Sequence, residues 1–199
     1  MILIIDNTKN LKKAYMTPKL LSYLNDLEIK YILVSDREDV NKIIFHSLEI
    51  KGCILTGGPL CLSEELTIES INKNISILLH FKNIPILGIC FGFQIMAASY
   101  GGKIDSMVKQ DEGIFEVELI NDSIIMKNID KKFKVFQSHK DKVSQIPPNF
   151  KIIGIDNINN IQIIENIECK CWGVQFHPEG LESTNIIIKN FVDICYNKI

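Results

Sequence analysis

The stretch "IPILGICFGFQIMAASYGG", Ile84 to Gly102, holds the reading on which the fold turns. "IPILGI" is apolar throughout and too short for a helix, which suits a central parallel strand covered on both faces. From "FGFQIMAASY" the apolar spacing becomes helical, and Gly101-Gly102 supplies the glycine expected just past a helix C-terminus. Cys90 stands at the junction. A strand that ends in Gly-x-Cys-x-Gly and opens into a helix has the geometry of a nucleophile elbow, in which small neighbours permit a sharp turn that lifts the side chain out of the sheet. The helix N-terminus behind Cys90 would favour the thiolate. Taken alone, the stretch accommodates a buried structural thiol equally well, since free cysteine is among the most buried residue types.

Upstream, short apolar runs alternate with helical stretches: "ILII", a helical pattern through Leu20, Leu21 and Leu24, "YILV", Val40 to Phe45, "GCIL", and a helix through Ile68 to Phe81. Such alternation predicts parallel βαβ units. Beyond Gly102 the chain turns to β-rich runs, "IFEVELI", "SIIM", "FKVFQS", "FKIIGI", "IQIIEN" and "CKCWGVQF", separated by Asn, Asp and Pro-Pro turns. They predict mixed or antiparallel strands added to the same sheet. A closing helix, "STNIIIKNFVDICY", begins at Ser183 or Thr184 as N-cap. With no repeat, low-complexity segment or linker in view, residues 1–199 read as one α/β domain, its central, mostly parallel sheet flanked by helices and extended by strands in the C-terminal half.

Composition narrows the function classes. The chain has 199 residues, 46% hydrophobic and 23% charged, with net charge −2, which fits neither a disordered chain nor a polyanion binder. Arg37 is its only arginine, and arginine is the preferred fork for phosphate and bases, so no nucleic-acid partner is expected. Six cysteines spread through apolar runs suit a reducing compartment. The opening "MILIID" lacks a basic leader and meets an acid at Asp6, and no apolar run approaches the ~20 residues that span a bilayer, so a cytoplasmic protein away from membranes is expected.

A nucleophilic thiol needs a base, and the base an orienting partner. "GVQFHPEG" offers His177 and Glu179 two apart at a strand exit, with Pro178 holding the segment extended. In "ILTGGPL" the glycines let backbone N–H groups approach a ligand, and the N–H groups of Gly58 and Phe91 would form an oxyanion hole. Read singly, the first is also an ordinary turn and the second an ordinary strand end. Cys169-x-Cys171 sits in the strand before Trp172 with both thiols on one face. A zinc deaminase would need Pro-Cys-x-x-Cys and the opposite chain order, so no metal site is assigned. His46 and His80 fall on helical stretches as structural residues, and Cys61 as a packing residue near the Gly-Gly turn.

Together "TGGP", "GICFGFQ", "SHKDKV" and "GVQFHPE", in this order, resemble the class I (triad-type) glutamine amidotransferase family over almost the whole chain. "TGGP" and "SHKDKV" followed by "IPPNF" most resemble the glutaminase subunit or domain of GMP synthase. The resemblance implies a flavodoxin-like three-layer fold, with Cys90 as nucleophile, His177 as general base and acid, and Glu179 orienting His177. It implies that Gln94 contacts the bound glutamine and that the backbone around Ser138, His139 and Lys140 holds its amino-acid end. His139 and Asp141 would face a synthetase. The implied chemistry is glutamine hydrolysis through a γ-glutamyl thioester. Ammonia would pass to a separate ATP pyrophosphatase-type subunit for XMP amination, with ATP and Mg²⁺ on that partner and no cofactor on this chain.

The chain departs from the family pattern in four places. Asp6-Asn7-Thr8-Lys9-Asn10 lacks the glycines of a "DNGGQ"-like opening, Lys140 replaces a glycine, Gly180 an aliphatic residue, and "GGPLCLSEE" differs after its proline. Two further readings on the same fold are a γ-glutamyl peptidase or thiol hydrolase without an ammonia channel, and a regulatory protein without turnover.

Overall fold

In this computed structural model, residues 1–8, 15–35, 50–63, 74, 76, 78, 80 and 83–199 are described. Five strands, β1 (Ile2–Asp6), β2 (Tyr31–Ser35), β3 (Gly52–Leu55), β4 (Ile86–Ile89) and β9 (Cys171–Val174), pair in parallel in the order β2-β1-β3-β4-β9. Four more, β5 (Lys103–Leu119), β6 (Lys132–Gln145), β7 (Lys151–Asp156) and β8 (Ile161–Asn166), extend the sheet antiparallel beyond β9 in the order β8-β7-β5-β6. The expected parallel half and its added strands are therefore one continuous sheet.

The apolar strands are buried on both faces, which is why they read as unbroken runs. Along β1, Ile2 and Ile4 meet Leu20 and Leu24 of helix α1 (Met16–Asp26) and Ile187, Ile188 and Phe191 of α3 (Asn185–Cys195). Leu3 and Ile5 point the other way, into a second cluster with Phe93 and Met96 of α2 (Phe91–Ser99). Truncating one such residue to alanine costs roughly 2–5 kcal/mol. Helix α2 ends as the Gly-Gly pair predicts: Gly101 has φ +93°, and the N–H groups of Gly101 and Gly102 donate to the carbonyls of Ala98 and Ala97 at 3.0 and 2.8 Å. This paired closure leaves neither carbonyl unsatisfied.

Several expectations are corrected. β5 runs over 17 residues, well upstream of "IFEVELI", and β6 continues through "SHKDKV". These polar segments form strands because they pair with each other, as in Asp111 opposite His139 and Glu112 opposite Ser138. "SIIM" is not a strand but carries a single 3₁₀ turn at Ile124–Met126. Cys169 and Lys170 lie in the turn before β9, with Lys170 at φ +54°, so the two cysteines do not alternate along a strand. Thr184 does occupy the N-cap of α3, yet its hydroxyl caps nothing there and donates to the carbonyls of Pro178 and Leu181. The helix through Val40 to Phe45 lies outside the described residues, as do His46 and most of Ile68 to Phe81. Of the last, Asn74, Ser76, Leu78 and His80 are helical, and His80 is exposed.

Candidate active site

Parallel strands all present their carboxyl ends to one side, and in this strand order ligands settle in the crevice there. At that edge β1 delivers Asn7, β3 the Thr56-Gly57-Gly58 turn, β4 Cys90, and β9, after Gln175 and Phe176, His177. Thr56 ties three of these ends together: its hydroxyl oxygen accepts from the N–H of Asn7 at 3.0 Å, and its carbonyl accepts from the Asn7 side chain at 2.9 Å and the Gly92 N–H at 3.1 Å.

Cys90 has φ +51° and ψ −107°, a conformation costing a non-glycine residue about 1–3 kcal/mol. Its surroundings impose it. The Cys90 N–H donates to the Val174 carbonyl at 2.8 Å, its own carbonyl accepts from the Gln94 N–H at 3.0 Å, and its thiol points toward the Ser138 carbonyl at 3.8 Å. Gly92 is required by the same turn, because a Cβ there would lie 2.3 Å from the Leu55 carbonyl oxygen.

His177 is fixed on both backbone and ring. Its N–H donates to the Phe136 carbonyl at 2.9 Å, its carbonyl accepts from the Gly180 N–H at 2.9 Å, and its Nδ1 lies 2.9 Å from Glu179 Oε1. Glu179 is buried, and among the described residues its Oε2 has no hydrogen-bond partner. Burial pushes the imidazolium toward losing its proton, but the charges of Cys90 and Glu179 and the hydrogen bonds to both outweigh burial and hold its pKa up at about 10. The geometry thus favours an imidazolium beside the thiol. Gly57 makes room for it: a Cβ at Gly57 would lie 2.7 Å from His177 Cε1 and 3.5 Å from Cys90 Cβ.

A cleft of about 590 Å³ opens over Cys90 and His177, and Gly58, Phe91, Gln94, Ser138, His139 and Lys140 line it with them, as does Asp141. Every candidate residue therefore converges on one space except Glu179, which stands behind His177. Gln94 spends both amide hydrogens, on the Asp141 carbonyl at 2.8 Å and Gln175 Oε1 at 3.2 Å. His139 is buried, its Nδ1 2.9 Å from the Asp141 carbonyl and its Nε2 2.7 Å from Gln137 Oε1. Burial lowers its pKa, opposed by the Asp111 carboxylate 3.9 Å away.

Asp141 is only 2% exposed, and both of its oxygens accept from Ser63, one from the N–H at 2.9 Å and the other from the hydroxyl. The carboxylate thereby staples the segment after the Gly-Gly turn to β6. Ser63 escaped the sequence reading, as did the cleft-lining Thr8, Gln110 and Glu112. Only the pairing of β5 with β6 brings the last two to the cleft, and no local motif marks them. Cys61 lines the cleft as well.

A sequence profile of the Glutamine amidotransferase class-I family matches residues 3–194. The chain belongs to this family. It is a glutamine-hydrolysing enzyme of the cysteine-nucleophile type. Among curated relatives of this amidotransferase, a glutamine-hydrolyzing GMP synthase subunit of Pyrococcus furiosus is 33% identical over 153 residues, covering 75% of this chain and 78% of the relative. Its namesake from Methanocaldococcus jannaschii is 34% identical over 173 residues, covering 84% and 88%. The fold matches the crystal structure of a GMP synthase subunit protein from Thermoplasma acidophilum with TM-score 0.84 at 21% identity, over 99% of this chain and 94% of the other.

Two family departures acquire physical reasons here. A Cβ at Gly180 would lie 2.7 Å from Phe136 Cβ, so the bulky Phe136 on β6 occupies the space an aliphatic residue would need. In the glycine-free opening, Asn7 bridges to Thr56, while Asp6 accepts from the Thr8 N–H at 3.2 Å and from the Thr17 hydroxyl at 3.2 Å. Lys9 and Asn10 lie outside the described residues. Among the described residues no helix is long and apolar enough to cross a membrane.

Proposed function

We propose that Cys90, His177 and Glu179 are the catalytic triad of a glutaminase subunit whose ammonia aminates XMP on a separate ATP-dependent synthetase. The observation that carries the triad is the strained Cys90 at the parallel-strand edge, with His177 against it across Gly57 and Glu179 2.9 Å behind the imidazole. The Cys90 thiolate attacks the side-chain carbonyl carbon of glutamine, and the tetrahedral oxyanion is held by the N–H groups of Gly58 and Phe91. The N–H of Phe91, in the first turn of α2, has no partner within its helix. His177 gives its proton to the departing ammonia, then takes one from the water that opens the thioester to glutamate. A raised imidazole pKa suits the acid role that comes first. Ser138, His139 and Lys140 hold the amino-acid end of glutamine. Gln94, its amide hydrogens already engaged, offers that end its Oε1.

The XMP acceptor is supported by the relatives named as one subunit of GMP synthase, a name that implies a partner chain. His139 and Asp141, buried here, would act on that partner through the cleft wall and not by direct contact. The test is glutamate release by the purified protein and by Cys90→Ala, each with and without an XMP-aminating synthetase loaded with ATP and XMP. Turnover that rises with the loaded synthetase and vanishes in the variant is expected. Undiminished turnover in Cys90→Ala would overturn the triad. Partner-independent activity on γ-glutamyl peptides would overturn the acceptor.

A further inference from the structure

Away from the cleft, the turn between β8 and β9 brings three reactive groups together. Cys171 is fully buried at the start of β9, Cys169 is half-buried in the turn, and Tyr100 closes over them from the end of α2. The Tyr100 hydroxyl lies 3.6 Å from Cys171 Sγ, the Cys171 thiol donates to the Cys169 carbonyl oxygen at 3.4 Å, and the Cys169 thiol donates to the Asn166 carbonyl oxygen at 3.8 Å. The left-handed Lys170, φ +54°, folds the two cysteines toward each other, where an extended residue would hold them apart. The turn itself is held by the Cys169 N–H donating to Asn166 Oδ1 at 3.1 Å and the Lys170 N–H donating to the Ile167 carbonyl at 3.2 Å.

We propose that Cys169 and Cys171 form a reversible dithiol–disulfide site that reacts with hydroperoxides, Cys169 attacking and Cys171 resolving. Cys169 is the solvent-reachable thiol of the pair, with Cys171 buried behind it, and its surroundings favour the thiolate. The hydrogen bond from Cys171 is the largest influence, exceeding the opposing effect of burial, and the Cys169 thiol is brought down to about 7. Cys171 moves the opposite way, raised by its interaction with Cys169 and by burial. Cys53 and Cys195, also buried, are unsuited to attack: burial pushes Cys53 up, and Cys195 up to about 12. A solvent-reachable, low-pKa thiol beside a resolving cysteine is the arrangement redox-sensing thiols use.

The chemistry balances. The Cys169 thiolate attacks the terminal oxygen of the hydroperoxide, the O–O bond breaks, and the alkoxide leaves and is protonated to the alcohol. Cys169 is then a sulfenic acid. The Cys171 sulfur attacks the Cys169 sulfur, the S–O bond breaks, and hydroxide leaves with the Cys171 proton as water. Two thiols and one hydroperoxide give a disulfide, an alcohol and water, and a thiol reductant restores the pair.

The experiment treats the full chain with one equivalent of hydrogen peroxide, alkylates it under denaturing conditions and maps each cysteine by mass spectrometry. The peptide material bearing Cys169 and Cys171 should lose two hydrogens and refuse alkylation until reduced. It should do so roughly tenfold faster at pH 7 than a thiol with an ordinary pKa reacts. Cys171→Ala should stop at a Cys169 sulfenic acid that dimedone captures. Cys169→Ser, changed only in the half-buried turn and checked for folding by circular dichroism, should leave Cys171 reduced. Full alkylation of both cysteines after peroxide in the wild-type chain, or oxidation of Cys171 in Cys169→Ser, would overturn the proposal.

Discussion

Gly57→Ala isolates the geometry of the proposed triad from its chemistry. The added Cβ would stand 2.7 Å from His177 Cε1, about 0.7 Å inside the 3.4 Å at which ordinary van der Waals contact begins. Gly57 has no positive φ, so alanine meets no backbone strain there, and the clash must be relieved by the imidazole. The ring cannot swing freely, because Glu179 Oε1 holds Nδ1 at 2.9 Å and the His177 backbone is bonded to Phe136 and Gly180. It must therefore move away from residue 57, out of the position it holds at the cleft, by most of that 0.7 Å. A misplacement near 1 Å costs on the order of 10²-fold in rate. Steady-state glutaminase kinetics should show kcat down by about that factor. Denaturant unfolding should move by less than ~1 kcal/mol, since only one side chain shifts. Gly58→Ala is the contrast: its Cβ would meet the immobile Asn7 carbonyl oxygen at 2.7 Å, so it should lose stability together with activity. A Gly57→Ala enzyme with wild-type kcat would refute the claim that His177 works from the position seen here.

Three further outcomes follow from the same contacts. The pKa of His177 is raised in the folded state, so the stability this residue adds is whole below its ordinary value of about 6.5 and is lost as pH rises through about 10. An NMR titration of the imidazole should find it protonated at neutrality and show the transition moving down in Cys90→Ala; a neutral ring at pH 7 in the wild type would contradict the pairing. Asp141→Asn and Ser63→Ala should each cost roughly 1–3 kcal/mol in denaturant unfolding, and their double variant should cost less than the two together. Strict additivity would mean that the staple between the Gly-Gly segment and β6 is idle. Gly180→Val should be destabilised by about 1–3 kcal/mol through its clash with Phe136, and Phe136→Ala should recover part of the loss; no recovery would place the strain elsewhere.

The parallel half of the fold was legible because its strands are buried on both faces. Ile2 to Ile5, Cys53 to Leu55 and Ile86 to Ile89 are apolar without interruption, and no other element of that length has a reason to be. The elbow was legible for a related reason: a residue at φ +51° hemmed in by Leu55 and Thr56 demands small neighbours, and Gly88 and Gly92 print that demand in the sequence. The long β5–β6 hairpin left no such mark. Its polar stretches, among them Lys103 to Gly113, owe their extended form to each other's backbone groups, a pairing that local composition does not encode. The turn that joins Cys169 to Cys171 was misread as strand for the same reason, since the left-handed Lys170 carries no propensity signal.

By itself, then, the amino-acid order singled out the residues proposed to carry the chemistry: a cysteine between small residues at a strand end, a histidine and a glutamate two apart, and a Gly-Gly turn. Those requirements are local, and local requirements restrict residue type at fixed spacing. Tertiary structure alone decided what surrounds them. It set Gly57 against the imidazole, closed Asp141 on Ser63, seated Phe136 where Gly180 leaves space, and brought Tyr100 over the two distant thiols. Each of these contacts joins chain segments far apart in sequence, so its energy depends on how the sheet closes and not on any neighbouring residue.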